Sequence, residues 1–302
     1  MTILIAGGTG LIGSALSRHL IGAGHEVVVL SRRPEAAATM PGVRVELWDG
    51  RSPAQVQPLI QGSEAVVNLI GAGIADKRWS QQRKALIRSS RLDAGAALNE
   101  AVMKASARPS VVVQSSGVGY YGPRGDERVD ESTTPGNDFL ARLCVEWEAS
   151  TAGVQDVGVR HVATRTGVVL TPKGGALARL LPIFKLGLGG RLGSGKQWFP
   201  WIHIDDQVAA IAHLISQPVS GPFNLSAPAP VTNRVFTSAL GHAIGRPTPW
   251  VVPGLALRIG LGELATTLLT GQKAVPHRLQ ESGFTFRFTD LDVALANLVG
   301  RT

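Results

Sequence analysis

Cysteine is almost absent. One residue, Cys144, stands in a chain of 302, so no disulfide forms within the chain, and the expected setting is a reducing compartment with the cytoplasm as the default. A lone cysteine in a helix-like stretch reads as a small buried apolar residue. Long hydrophobic runs are missing too: none approaches the ~18 uninterrupted apolar residues of a membrane helix. The most apolar C-terminal stretch, Val251 to Leu261, is broken by Pro253 and Arg258. Met1 to Ala6 lacks the basic stretch, apolar run and cleavage site of a signal peptide and reads as a first strand. No His/Cys/Asp/Glu spacing suggests a metal, so none is expected, and there is neither a Gly-x-Ser-x-Gly elbow nor a phosphate-loop lysine motif. Tyrosine is scarce: Tyr120 and Tyr121 are the only two, and no lysine occurs between Lys104 and Lys173.

What is present is enough apolar sequence, 44%, to bury a large core. The net charge of +8 raises the question of nucleic acid. The basic residues are scattered, however, with one concentration at Lys77, Arg78, Arg83, Lys84, Arg88 and Arg91, and no zinc-finger spacing, RNA-binding aromatic signature or basic tail accompanies it. No nucleic-acid and no membrane partner is therefore expected. The cluster starts just past a strand end, so it reads either as a solvated helix face or as part of a phosphate site.

The first half alternates short β-branched runs with longer helix-like stretches, the pattern of a parallel sheet covered on both faces. Strands are predicted at Thr2 to Ala6, Glu26 to Leu30, Arg44 to Leu47, Ala65 to Ile70, Ser110 to Ser115 and Arg160 to Thr166. Helices are predicted at Leu11 to Ala23, Pro53 to Ile60, Ser80 to Ala105 and Asp138 to Ala152, the last with Phe139, Leu143 and Trp147 on one apolar face. The fold class is α/β, a Rossmann-type doubly wound parallel sheet with a smaller C-terminal substrate-side domain. The expected division is a dinucleotide domain over residues 1–170 with sheet elements returning around 198–227, a lid and loop region over 171–250, and a small helical domain over 251–302. Gly174-Gly175, Gly187 to Gly195 and the aromatic stretch Trp198-Phe199-Pro200-Trp201 have the texture of a lid or binding loop.

Gly7, Gly10 and Gly13 follow a strand and open a helix, the context in which a glycine fingerprint marks a dinucleotide site. Glycine lets the backbone of Thr9, Leu11 and Ile12 approach a pyrophosphate, and the helix N-terminus adds a favourable field. The second strand ends in Ser31-Arg32-Arg33, where an NAD protein usually carries an acid; a hydroxyl and guanidinium groups suit a 2′-phosphate, so NADP(H) is the expected cofactor. Asp49 reads equally as an acceptor for the adenine amino group or as a turn residue before Gly50. Leu69, Ile70 and Gly71, at the end of the fourth strand, offer an apolar, close-approaching backbone to the cofactor.

These segments, with Ser115 to Gly122 and Trp201-Ile202-His203-Ile204-Asp205-Asp206, resemble the extended short-chain dehydrogenase/reductase superfamily. Arg78-Trp79, Ser90-Arg91-Leu92, Trp147-Glu148, Arg165 to Leu170, Gly187 to Gly190, Gly271-Gln272-Lys273 and Gly283-Phe284 narrow the resemblance to the atypical SDR39U or YfcH-like epimerase family, with a short C-terminal domain of its own. The resemblance implies an NADP-binding oxidoreductase or epimerase acting on a small polar, nucleotide-sugar-like molecule. It further implies that Ser31 and Arg32 bind the 2′-phosphate end, Leu69 and Ile70 flank the cofactor, Leu86 and Arg91 reach it from the long helix, and Val168 sits by the nicotinamide. Leu86 and Val168 read equally as core residues. Helices 80–105 and 138–152 offer the faces for a homodimer of the kind common in the superfamily.

Chemistry in that superfamily needs a tyrosine with a lysine four residues on, and this chain has no such pair. Phe139, Leu140 and Cys144 occupy the helix that should carry it. The substitutes are Ser116, placed where the superfamily puts a hydroxyl near the substrate carbonyl, and Tyr120 or Tyr121, with Arg124 close enough in sequence to lower a phenol's pKa. The tyrosines read equally as packing beside a glycine loop. His203 reads as a strand edge before a helix capped at Asp205 or Asp206. The alternative to catalysis is a redox-responsive regulator that binds NADP(H) without turning over a substrate.

Overall fold

The computed structural model describes residues 1–37 and 40–300. Five of the seven sheet strands are largely buried on both faces, as a sheet sandwiched between helix layers requires; three of them are mainly Val, Ile, Leu and Ala, while the last two of the five also bury polar residues. They are β1 (Thr2–Ala6), β2 (Glu26–Ser31), β4 (Ala65–Asn68), β5 (Val111–Gly117) and β6 (Arg160–Thr166); β3 (Val43–Leu47) and β7 (Gly221–Leu225) form the edges. The order is β7-β6-β5-β4-β1-β2-β3 and every pairing is parallel. The chain reverses its winding direction between β1 and β4, which opens a crevice beyond their carboxyl ends.

Helix α1 (Leu11–Gly22) covers one face of the sheet, α2 (Pro53–Gln61) and the long α3 (Gln81–Lys104) the other. On α3 the inward residues Ala94, Ala97, Leu98, Ala101 and Val102 are nearly all small, so the helix lies close to the strands. Ser80 and Asp138 do not belong to the helices they were expected to begin: each caps from outside, Ser80 accepting from Arg83 N–H and Asp138 from Ala141 N–H. Helix α4 (Phe139–Ala149) ends before the expected Ala152, and a 3-10 turn, Ala152–Val157, follows. Strand β4 stops at Asn68 rather than Ile70. The Asn68 side chain accepts from Ile70 N–H and donates to Gln114, turning the chain out of the sheet.

The glycine and aromatic segment is not a free loop. Gly190–Leu192 pairs with Trp250–Val252, Trp198–Phe199 with Val231–Thr232, and Trp201–His203 with Val168–Leu170. Helices α5 (Gly175–Lys185), α6 (Ile204–Ser216), α7 (Asn233–Ile244), α8 (Gly254–Leu261), α9 (Leu264–Leu269) and α10 (Leu291–Val299) complete the architecture. One apolar cluster joins Leu177 and Phe184 of α5, Phe236 and Leu240 of α7, and Leu291 and Leu295 of α10. Through this cluster the stretch after residue 250 packs against α5 and α7. Leu279 from that stretch packs into the main sheet layer. Among the described residues no helix is long and apolar enough to cross a membrane, and no group of three or more His, Cys, Asp and Glu could hold a metal ion.

Helix α6 is capped by His203 and not by the expected Asp205 or Asp206. The buried imidazole Nδ1 accepts from Asp205 N–H (3.0 Å), so Nε2 carries the proton and donates to Asn297 of α10 (3.2 Å), while the ring stacks on Phe288. Asp206 instead accepts from the backbone of Arg287 (2.8 Å) and Phe288 (2.9 Å), tying the C-terminal stretch to α6. Burial lowers the His203 pKa from its ordinary 6.5, outweighing the attraction of Asp205 and Asp206. Below that ordinary value the unfolded chain takes up a proton that the folded ring refuses, so stability is full above about pH 6.5 and falls as pH drops through the window beneath it. Buried His161 contributes with the same sign. Urea unfolding at pH 7.5 and pH 6 should give a lower stability at the acidic point, and His203→Asn should flatten part of the slope; an unchanged slope in the variant counts against the neutral imidazole.

Candidate functional site

The loop between β1 and α1 is shaped by two contacts. Gly7 has φ of +84°, and a Cβ there would lie 2.9 Å from the Leu69 backbone carbon; a Cβ on Gly13 would collide with the Gly7 carbonyl oxygen. Strand β1, the Leu69 turn and α1 can approach only with glycine at both positions. Gly10 begins α1 without a side-chain cap, and no acidic residue occupies the first turn. The amides there are thus left to an external anion, beside exposed Thr9 and half-buried Leu11 and Ile12.

At the end of β2 the Ser31 hydroxyl donates to Arg33 C=O and accepts from Arg33 N–H. Ser31 thereby builds the turn that leaves Arg32 and Arg33 exposed. Asp49 is the turn residue of its two readings: its carboxylate accepts from Arg51 N–H, Ser52 N–H and the Ser52 hydroxyl, which lowers its pKa and occupies it locally. Leu69 packs beside the main core and Gly71 is exposed. Leu86 is 49% exposed on α3 and does not line the cavity described next.

A cavity of about 400 Å³ opens beside the loop. It gathers Ile12, Arg91, Ser116 and Val168 from the residues singled out in the sequence. Its walls come from Trp79, Phe139, Leu140 and Trp147, and from Thr266, Thr267 and Gln272 more than a hundred residues further along the chain. A larger cavity, about 640 Å³, lies past the other side of α1 near Arg18 and Lys173, and holds none of the orphaned buried polar atoms.

The basic cluster divides in the structure. Arg83 is bound to Gly73 C=O and Asp76, Lys84 to Glu263, and Arg88 to Glu146. Arg91 alone turns into the cavity. It is 7% exposed, donates from Nη1 to Ala72 and Ile87 carbonyls, stacks over Trp147 (4.6 Å), and lies where a Cβ on Gly71 would be. Its Nε and the Trp147 Nε1 are buried donors with no partner among the described residues. A buried donor left unmade costs about 1–3 kcal/mol, and a ligand acceptor removes that cost. Burial lowers the Arg91 pKa to about 10, so the cation persists at neutral pH. Burial also pushes the Cys144 thiol up to about 11, leaving it neutral in the helix position where a lysine is missing.

Of the three proposed catalytic residues, only Ser116 lines the cavity. The 3-10 turn Val118–Tyr121 carries both phenols away from it. Tyr121 is wholly buried; its hydroxyl donates to Asn224 (2.7 Å) and accepts from Arg165 (3.2 Å), and burial raises its pKa to about 12. Tyr120 lies face-on to the Arg165 guanidinium at 3.4 Å. Both tyrosines are packing residues here. Arg124 binds the Tyr121 carbonyl and Thr134, not a phenol.

Behind Ser116 stands an ion pair of buried Arg165 and half-buried Glu148, two residues that the sequence shows only within separate motifs. Arg165, 4% exposed on β6, grips Glu148 of α4 through two bonds, Nε to Oε1 (2.8 Å) and Nη2 to Oε2 (2.9 Å). The Ser116 hydroxyl donates to the same Oε1 at 2.7 Å. Burial opposes the Arg165 charge, but Glu148 outweighs it and raises the pKa. Their spacing carried no signal, since 17 residues and a change of element separate them. Arg165→Met should destabilise by up to about 3 kcal/mol in urea unfolding, because Glu148, 15% exposed, loses its cation and keeps only the Ser116 hydroxyl. The double variant Arg165→Met/Glu148→Leu should recover part of that loss; a single variant as stable as the parent shows that the pair carries no such constraint.

Residues 3–226 match the NAD dependent epimerase/dehydratase family, and residues 252–298 match a domain of unknown function, DUF1731. An epimerase family protein of Mycobacterium bovis is 45% identical over 296 residues, covering 97% of this chain and 96% of its own. The mouse epimerase family protein SDR39U1 is 39% identical, with 99% and 100% covered. Among solved structures, human epimerase family protein SDR39U1 (isoform 2) with NADPH aligns at 34% identity over the whole of both chains, with a TM-score of 0.89. A UDP-glucose 4-epimerase of Thermotoga maritima, at 18% identity and a TM-score of 0.81, shares the fold. With its core, its C-terminal segment and its relatives in agreement, the chain belongs to the NAD dependent epimerase/dehydratase family, among the epimerase family proteins related to SDR39U1.

Proposed function

We propose that the protein binds NADP(H) and acts as an oxidoreductase or epimerase on a small polar substrate held in the 400 Å³ cavity. The observation that carries this reading is the convergence on one cavity of Ile12 from the first turn of α1, the orphaned Arg91 Nε, Val168 and Ser116. The glycine loop would hold the pyrophosphate, Arg32 and Arg33 the 2′-phosphate, and Arg91 an acceptor group of the cofactor. The nicotinamide, when bound, supplies the hydride donor or acceptor. Ser116 faces the cavity with its own proton already directed at Glu148, so it presents lone pairs. It can take a proton from a substrate hydroxyl as it passes its own to Glu148, and return it in the reverse direction. The human relative crystallised with NADPH supports the cofactor.

A second reading is a non-catalytic NADP(H)-binding regulator, favoured by Leu140 and the neutral Cys144 on the helix that lacks the Tyr/Lys pair. Calorimetric titration with NADPH, NADP+, NADH and NAD+ tests both. The expected result is tight NADPH binding, weak NADH binding, and at least a tenfold loss for NADPH in Arg32→Ala, about 1.4 kcal/mol. Equal affinity for NADPH and NADP+ rules out redox sensing, since a ligand that does not discriminate shifts nothing. No binding of any of the four overturns the proposal.

A further inference from the structure

Three of the hydroxyl groups lining the cavity share a polarity. A hydroxyl has one proton to donate, and a group that has given it away offers only lone pairs. Ser116 donates to Glu148 (2.7 Å), Thr267 to the Leu264 carbonyl (2.8 Å) and Thr270 to the Thr266 carbonyl (2.7 Å), the threonines bonding back along their own helix. All three line the cavity. They come from two distant parts of the chain, β5 and the α9 region, and present acceptors. The buried donors left without a partner at this cavity are those of the stacked pair Arg91 and Trp147.

Charge is divided in the same way. Arg91 is the one cationic side chain among the described residues lining this cavity. Two carboxylates, Asp138 and Glu263, share the lining; Asp138 is engaged at the start of α4 and Glu263 with Lys84. Lys84, the further cation at this wall, lies against the Trp79 and Phe139 rings and is already engaged by Glu263, so a second diphosphate beside the cofactor would meet acceptors and carboxylates with no unengaged cation in the lining, and like charges brought together in a desolvated site cost several kcal/mol. Trp79 and Phe139, edge to face at 5.1 Å, give the same chamber an aromatic wall.

We infer that the substrate chamber takes an uncharged, hydroxyl-rich ring, a free monosaccharide or cyclitol, and rejects nucleoside diphosphate sugars. Substrate hydroxyls donate to Ser116, Thr267 and Thr270 while the ring's apolar face lies on Trp79 and Phe139. This rests on the oxidoreductase or epimerase reading of the same cavity and narrows its substrate.

The test is saturation-transfer NMR on the full chain saturated with NADPH, using myo-inositol, D-glucose, UDP and UDP-glucose as probes. At least one of the two neutral rings should receive saturation, with affinity falling at least tenfold in Thr267→Val/Thr270→Val, and neither UDP nor UDP-glucose should bind more tightly than that ring. NADPH calorimetry on the double variant, expected unchanged, controls for its fold. Tighter binding of UDP or UDP-glucose, no response from either neutral ring, or a full response in the double variant overturns the inference. A ring that binds as expected but leaves the nicotinamide absorbance of both cofactor forms unaltered sinks the oxidoreductase or epimerase reading and leaves the ligand class standing.

Discussion

The site depends on a carboxylate that has been taken out of water and matched. Glu148 is half-buried, 15% exposed, and a charge withdrawn from water without a partner is costly. Arg165 supplies two parallel bonds to it, and that geometry fixes α4 against β6. Everything nearby is arranged around those bonds: Ser116 donates to one carboxylate oxygen, Tyr120 lies under the guanidinium, and Tyr121 bridges from it to Asn224. Asn224 continues the chain of contacts to Glu131 and to the Val275 carbonyl in the C-terminal stretch. A polar network of this kind holds its members in one geometry because each lost partner leaves another buried group unmet.

That network accounts for the way the chain lives without a tyrosine and lysine on α4. Leu140 and Cys144 give that helix an apolar face toward Gly119 and Gly117, and the polar groups have moved to neighbouring elements. Arg91 of α3 brings a cation to the cavity. The hydroxyl comes from β5 as Ser116. Two tyrosines that look available in the sequence are consumed as structural partners of Arg165.

The C-terminal stretch completes the site and is not an appendage. Asp206 and His203 pull residues 287–297 against α6, Leu279 enters the main core, and α9 brings Thr266, Thr267 and Thr270 to the cavity. A chamber lined by the carboxyl ends of β5 and β6 and by residues from beyond residue 260 requires both halves of the chain to be folded together.

The sequence by itself determined the parallel sheet, its helices and the glycine loop. β-branched runs such as Val27 to Leu30 can satisfy only a strand buried on both faces, and Gly7 and Gly13 sit where no side chain fits. Local spacing carries that information. Between the two readings that the sequence left equal for Asp49, bonds to residues two and three positions on favour the turn. Only the tertiary structure decided that Tyr120 and Tyr121 turn away, that His203 and not Asp205 caps α6, and that Glu148 stands behind Ser116, 32 residues distant. Those outcomes follow from which buried polar groups meet across elements, and a pairing between distant residues leaves no period in the sequence to read.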